Sequence, residues 1–401
     1  MKIKKSEFYD KVLGCWMGKN IGGTLGTPDE WKRQLNNYSF YTHNIDGEPL
    51  PNDDLDLQII WLKCLENNGI NITARNLAEC WLMFQIANYG EYGVAKANLR
   101  QGIMPPQSGI LNNAKKHSCG AFIRSEIWAC ICPGRPDLAV KYAYEDAIVD
   151  HGDGEGTYAE FFTASAEAAA FVTDDIRKLI EIGLSYIPED CGVAKAVRCV
   201  IDCYENKIPW QETRDVILEK FSGCVPDHLE FLCSERDREK GYDKGVLGYD
   251  VPSNIAIIVA GLLYGEGDFE KSLLITANMG EDTDCTAGFV GALYGIIMGA
   301  KNLPEKWVAP IGHNIKTMCC NLAHGAEYVP ETVEELTERV IRQTMAVSSS
   351  KGGFNKEPTM DIFDEGETDL SDVEYEKLLF QNTELYKNRE VMLNLTGPRH
   401  D

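Results

Sequence analysis

The sequence holds 14 cysteines in 401 residues, yet no two of them stand at the C-x-x-C spacing that a zinc ribbon needs. It has no apolar run near the roughly 20 residues that span a bilayer. Its first apolar stretch is short and interrupted by Asp10 and Lys11, which argues against a signal peptide. Positive charge is scarce: the formal net charge is −23. Such a surface repels phosphate backbones and anionic lipid, so neither nucleic acid nor membrane is expected as a partner. Alternating β-branched runs are almost missing, which leaves little to build a sheet from. The scattered cysteines, such as Cys64 in IIWLKCL, read as small buried hydrophobes of a cytoplasmic chain kept reduced.

What is present is helical periodicity. The hydrophobic fraction of 44% is enough for a sizeable core. Ser6 is placed to cap a helix carrying Phe8, Val12, Leu13 and Trp16, which should end in the cluster Gly18, Gly22, Gly23, Gly26. Asp53 begins a second helix ending at Asn67-Asn68-Gly69, and Thr73 caps a third with Leu77, Trp81 and Phe84. Residues 90–120 are rich in Gly, Asn, Pro and Ser and read as a long loop. Further helical patterns run from near Phe122 to Tyr264, the last capped by Ser253, with another over Phe269–Ala277.

Along Thr286–Ala300, glycines recur at 288, 291, 295 and 299 and line one helix face. Each costs about 1 kcal/mol against alanine, so another backbone must press on that face. Pro330–Val347 is a final helix, with Thr332 and Glu335 spaced as a capping box. The expectation is an all-α helical domain over residues 1–347 with a dozen or more helices. A linker at Ser348–Gly353 then leads into an extension reaching 401, acidic at first (DIFDEGETDLSD) and mixed later (YEKLLFQNTELY).

Two clusters carry chemistry. Asn52-Asp53-Asp54, with Asp56 beyond, puts adjacent oxygen-bearing side chains at a helix start. Capping and the helix dipole account for one or two acids there, but less well for neighbours pointing different ways. Gly280-Glu281-Asp282-Thr283-Asp284 precedes the glycine-faced helix and repeats the theme. Four aspartates, Asp53, Asp54, Asp282 and Asp284, carry enough charge for two hard divalent cations of the magnesium type. A third patch, His151-Gly152-Asp153-Gly154-Glu155-Gly156, reads as a ligand-approaching loop. A fourth, the glycine loop Gly22–Glu30, lacks the order of a phosphate-binding P-loop, since Lys19 precedes its glycines.

In their order and spacing over residues 6–345, these patches resemble the ADP-ribosylglycohydrolase family. Gly22 to Glu30 matches the family's early G-x-x-x-G-x-P-x-E segment, and Asn52-Asp53-Asp54 its T/S-D-D motif. His151 matches a mid-chain histidine turn, and Gly280 to Asp284 the late G-x-D-x-D-T/S segment. The stretch Ile123–Trp128 with Pro133-Gly134 and Pro136 looks like a bacterial branch.

The resemblance implies a compact orthogonal multi-helix bundle and two Mg²⁺ ions, with Mn²⁺ as a substitute. It implies hydrolysis of the glycosidic bond at C1 of an ADP-ribosyl group, on a protein or a small molecule. Carried over residue by residue, it assigns metal binding to Asn52, Asp53, Asp54, Asp282 and Asp284. Proton transfer falls to Glu30, with Asp53 or Asp54. Substrate contacts fall to His151, Gly152, Asp153 and Gly280.

Two departures stand out. Asn52 replaces a usual Thr or Ser, and Cys285 falls where the last hydroxyl ligand belongs, with Thr286 next door as a substitute. Thiolate is a poor partner for Mg²⁺. Three other readings stay open: a Mg²⁺-dependent glycosidase of another ribosyl or nucleoside compound, a non-catalytic ADP-ribose-binding relative, and a metal-free two-carboxylate glycosidase. No cysteine sits in a local signature for nucleophilic catalysis. The sequence leaves the acceptor and the oligomeric state undecided.

Overall fold

Glycines 14, 18 and 22 recur every four residues along the first helix, and glycines 288, 291 and 295 along a late one. In the computed structural model, which describes residues 2–43, 45–223, 232–243, 248–349, 361–364 and 367–370, these two stripes meet. The first helix, α1 (Lys5–Gly26), is followed by α2 (Asp53–Asn68), α3 (Ala74–Phe84), α4 (Gly90–Arg100), α5 (Gln107–Ile110) and α6 (Glu126–Ile131). The middle of the chain forms α7 (Pro136–Ala147), α8 (Glu155–Ala170), α9 (Ile176–Ser185), α10 (Gly192–Glu205), α11 (Trp210–Phe221) and α12 (Glu235–Glu239). Then come α13 (Val251–Gly265), α14 (Phe269–Asn278), α15 (Thr283–Met298), α16 (Glu305–Val308) and α17 (Val333–Ser349). The fold is the all-α bundle expected, and α8, α13 and α15 are buried almost all round, as core helices must be.

Helices α1 and α15 run antiparallel with backbone against backbone. A Cβ on Gly18 would sit 2.0 Å from the Gly291 carbonyl oxygen, and one on Gly291 would sit 2.1 Å from that of Gly18. Gly14 and Gly295 repeat the arrangement one turn on, at 2.2 and 1.9 Å. The backbone partner demanded by the late stripe is therefore α1. This pairing also explains how α1 runs through its glycines before ending, within the expected cluster, at Gly26. At that end Thr283 Oγ1 donates to the Gly26 carbonyl at 2.7 Å, locking the end of α1 to the start of α15.

Four local expectations need correction. Residues 90–120 are not one long loop. Helix α4 lies within them, because Tyr92, Ala95, Lys96 and Leu99 share a buried face that the flanking glycines disguise. Helix α1 starts at Lys5 without a side-chain cap, so Ser6 is inside it. Helix α13 starts at Val251, and Ser253 donates back to the Asp250 carbonyl at 2.9 Å instead of capping. Helix α17 continues to Ser349, into the expected linker. Beyond it, β2 (Asp361–Phe363) pairs in parallel with β1 (Lys2–Lys4), tying part of the extension to the start of the chain. The segment Tyr375–Tyr386 lies outside the described residues. Among those described, every cysteine is free and no helix is long and apolar enough to cross a membrane.

Candidate metal centre

Because α1 and α15 are locked end to start, Glu30, just past α1 and its short 3-10 extension Thr27–Asp29, lies beside Asp282 and Asp284. The start of α2 docks on the same spot. Gly23 leaves the space for it, since a Cβ there would lie 2.6 Å from Asn52 Nδ2. Three elements distant in sequence thus bring Glu30, Asn52, Asp53, Asp54, Asp282 and Asp284 together.

Capping accounts for only part of this acid. Asn52 is a true cap, its Oδ1 accepting the Asp54 N–H at 2.7 Å while Nδ2 donates to Asp284 Oδ2 at 3.2 Å. Asp282 occupies the cap position of α15 yet makes no side-chain cap bond. Elsewhere in the chain, Asp175 and Asp268 at the same position do cap, accepting N–H groups at 3.2 and 2.7 Å. Asp282 Oδ1 and Asp284 Oδ1 are buried with no hydrogen-bond partner. A buried carboxylate oxygen left this way is costly unless a cation takes it up.

The electrostatics agree. Burial pushes the Asp282 and Asp284 carboxyls well above the usual range, and the neighbouring acids push the same way. Glu30 is pushed up to about 9 by burial and then by Asp282, Asp53 and Asp54. Asp53 is pushed up to about 6 by burial and by Asp54, against a 2.9 Å hydrogen bond from the Tyr89 hydroxyl. Among the described residues one cation serves the group: Lys19 on α1, 3.0 Å from Asp54 Oδ2, 2.8 Å from Glu126 Oε1 and donating to the Ile123 carbonyl at 2.8 Å.

Among the described residues three sets of donor atoms come close enough together to hold an ion: Glu91, Asp150 and His151 form one, and the other two lie among these acids. Glu30, Asp282 and Asp284 supply oxygen only; Asp54, Asp284 and Cys285 supply oxygen and sulfur. Cys285 Sγ donates to Asp54 Oδ1 at 3.3 Å. Thr286 turns its hydroxyl to the Asp282 carbonyl at 2.9 Å, along its own helix.

Beside the acids is a cavity of about 30 Å³, room for an ion or a water or two. Glu30, Asp53, Asp282, Cys119 and Cys285 border it, and Trp31, Tyr89, Tyr92 and Tyr249 wall it. Trp31 and Tyr249 lie with ring centroids 5.2 Å apart. Glu91 also faces this cavity, and behind it stands His151, whose Nε2 is 3.9 Å from Glu91 Oε1 and whose Nδ1 is 2.9 Å from Asp150. His151 is fully buried and reaches the cavity only through Glu91. Asp153 is engaged by Lys116 at 2.8 Å, and Gly152 packs on Gly109 and Ile110. Gly280 presses on the Gln34 carbonyl, where a Cβ would come within 2.1 Å.

Lys19, Glu91, Cys119 and the aromatic wall were not singled out from sequence. Only Lys19 had a signal, as a lysine on the glycine-rich face of an otherwise apolar segment.

Residues 4–347 match the sequence profile of the ADP-ribosylglycohydrolase family. An uncharacterised protein of Archaeoglobus fulgidus is 24% identical over 318 residues, spanning 75% of this chain and 90% of that one. Among solved structures, an ADP-ribosylglycohydrolase-related protein complex superposes with a TM-score of 0.51 at 16% identity. That match covers 85% of this chain and all of the other.

Proposed function

The chain belongs to the ADP-ribosylglycohydrolase family, and from that premise we propose that it hydrolyses the glycosidic bond at C1 of an ADP-ribosyl group at a divalent-metal centre. The observation that supports this reading best is the pair of buried, partnerless oxygens on Asp282 and Asp284, set among acids with a single lysine. The donor set suits a hard divalent cation, since it is mostly carboxylate.

In this reading Asn52, Asp53, Asp54, Asp282 and Asp284 hold the cations, of the Mg²⁺ or Mn²⁺ class. Bound there, they supply positive charge against the ribose hydroxyls and acidify a water. Cleavage at C1 develops oxocarbenium character, which the surrounding carboxylates stabilise. Glu30, whose carboxyl lies beside Asp282 and Asp284, is placed both to help hold a cation with them and to pass a proton to or from the reacting group. Asp53, oriented by the Tyr89 hydroxyl, accepts the proton of the attacking water. Lys19 fixes Asp54 and does not contact substrate. His151 acts through Glu91, which borders the cavity. Trp31, Tyr89 and Tyr249 exclude water, and must turn aside to admit a ribose, because about 30 Å³ cannot hold one.

Calorimetry tests the proposal. Mg²⁺ or Mn²⁺ should bind, and ADP-ribose should then bind only to the metal-loaded protein. Metal binding without affinity for ADP-ribose would redirect the reading to another ribosyl compound, and no metal binding would end it.

A further inference from the structure

The two donor sets of the metal centre differ in chemistry, and Asp284 belongs to both. Glu30, Asp282 and Asp284 present oxygen alone. On the other side, Asp54 and Asp284 are joined by Cys285 Sγ, with ligand atoms all within 4.8 Å of one another. Thr286, one residue on, commits its hydroxyl to the Asp282 carbonyl. A second thiol, Cys119, borders the same cavity, its Sγ donating to the Tyr249 carbonyl at 3.4 Å. Each position also has a buried, partnerless carboxylate oxygen within it.

Hard Mg²⁺ gains nothing from sulfur, whereas borderline cations accept sulfur and carboxylate together and bind mixed sets more tightly along the Irving–Williams order. Zinc is the common ion of such mixed sites, and its d¹⁰ shell imposes no geometry. We propose that the centre is a mixed one: a zinc-class ion at Asp54, Asp284 and Cys285, and a Mg²⁺- or Mn²⁺-class ion at Glu30, Asp282 and Asp284, with Asp284 between them. Binding at the first position forms a metal–sulfur bond and releases the Cys285 thiol proton to solvent, with no change of oxidation state. The inference rests on the metal-centre reading given above.

The experiment is a Co²⁺ titration of the full chain followed by absorption, with Co²⁺ standing in for zinc. The expected result is a near-ultraviolet sulfur-to-cobalt charge-transfer band that saturates at one equivalent. Zn²⁺ should then abolish it and Mg²⁺ should not. Cys285→Ser should lose the band and bind Zn²⁺ about tenfold or more weakly. Its Mn²⁺ binding, read by electron paramagnetic resonance, should be unchanged. Co²⁺ binding without the band in the unaltered protein would overturn the thiol ligand and leave the metal centre standing. Failure of every divalent ion to bind would overturn the metal centre itself, and the two failures cannot be confused. The unaltered protein alone decides the first question, whatever the stability of the variant.

Discussion

Around Arg124 the protein buries acid together with its counter-charge; at the starts of α2 and α15 it buries acid with almost none. Arg124 is fully buried and lies 2.8 Å from both Asp146 and Asp150. Trp61 and Trp128 add indole N–H bonds to Asp146 at 2.7 and 2.9 Å. Burial would raise Asp150, but Arg124 and His151 outweigh it and hold its carboxyl below the usual range. At Asp282 and Asp284 burial acts the same way and the neighbouring acids reinforce it. The same contrast appears within one motif. Glu281 is gripped by Arg33 at 2.6 and 2.8 Å, while Asp282 beside it keeps an oxygen with no partner. Burial of acid alone is thus no sign of function in this protein, since Asp56, Glu160 and Glu167 also bury a partnerless oxygen; what sets Asp282 and Asp284 apart is several such acids facing one another.

The strongest way to break that comparison is Asp284→Asn. A metal acting as Lewis acid is worth several kcal/mol, so turnover should fall at least about 10³-fold. The metal-free variant should be as stable as the parent or more so, because it sheds repulsion. A marked loss of stability in denaturant would place Asp284 with the structural acids. Next in size, Arg124→Met should cost about 3–5 kcal/mol by stranding Asp146 and Asp150. Urea unfolding measures this, and added Mg²⁺ or Mn²⁺ should return none of it.

Lys19→Met sharpens the contrast. It strands Asp54 and Glu126 at a comparable cost, but divalent cation should restore part of the loss, since cation binding to the folded state stabilises it. Equal rescue of both variants, or of neither, would erase the distinction between the two regions.

The last test is a pH slope. Asp53 and Glu30 have folded-state pKa values raised to about 6 and about 9. Raised carboxyls mean that the folded metal-free chain holds extra protons. The stability they contribute is present at low pH and lost as pH rises through those values. Thermal unfolding in chelator should therefore worsen from pH 5 upward, at no more than about 1.4 kcal/mol per pH unit per group. Asp53→Asn should lack the first component.

Helix class and most boundaries were legible because periodicity and caps are local. Asp53 to Asn68, closed by Gly69, appears as read. The acid clusters were legible as well, through their order and spacing along the chain and not through adjacency alone, since Asp174-Asp175 makes another such pair. What escaped depends on tertiary contact. The late glycine stripe announced a backbone partner, but only the fold identifies it as α1, whose own stripe at 14, 18 and 22 carries the matching period. Helix α4 was hidden by Gly90 and Gly93, because composition outvoted a buried face that only packing defines. Lys19 reaches the site from α1, and Tyr89 and Glu91 from the start of α4; no spacing in one dimension foretells that meeting.

The seam between α1 and α15 has a consequence for any survey that substitutes each residue and scores what survives. Gly14, Gly18, Gly291 and Gly295 will rank among the least replaceable positions, since even a methyl group would overlap the facing carbonyl. Yet none of them touches the acids. A map of intolerance would draw a line along the whole length of two helices, with the chemistry confined to one end of it. Divalent-ion binding, scored beside survival, would tell the rail from the engine it carries.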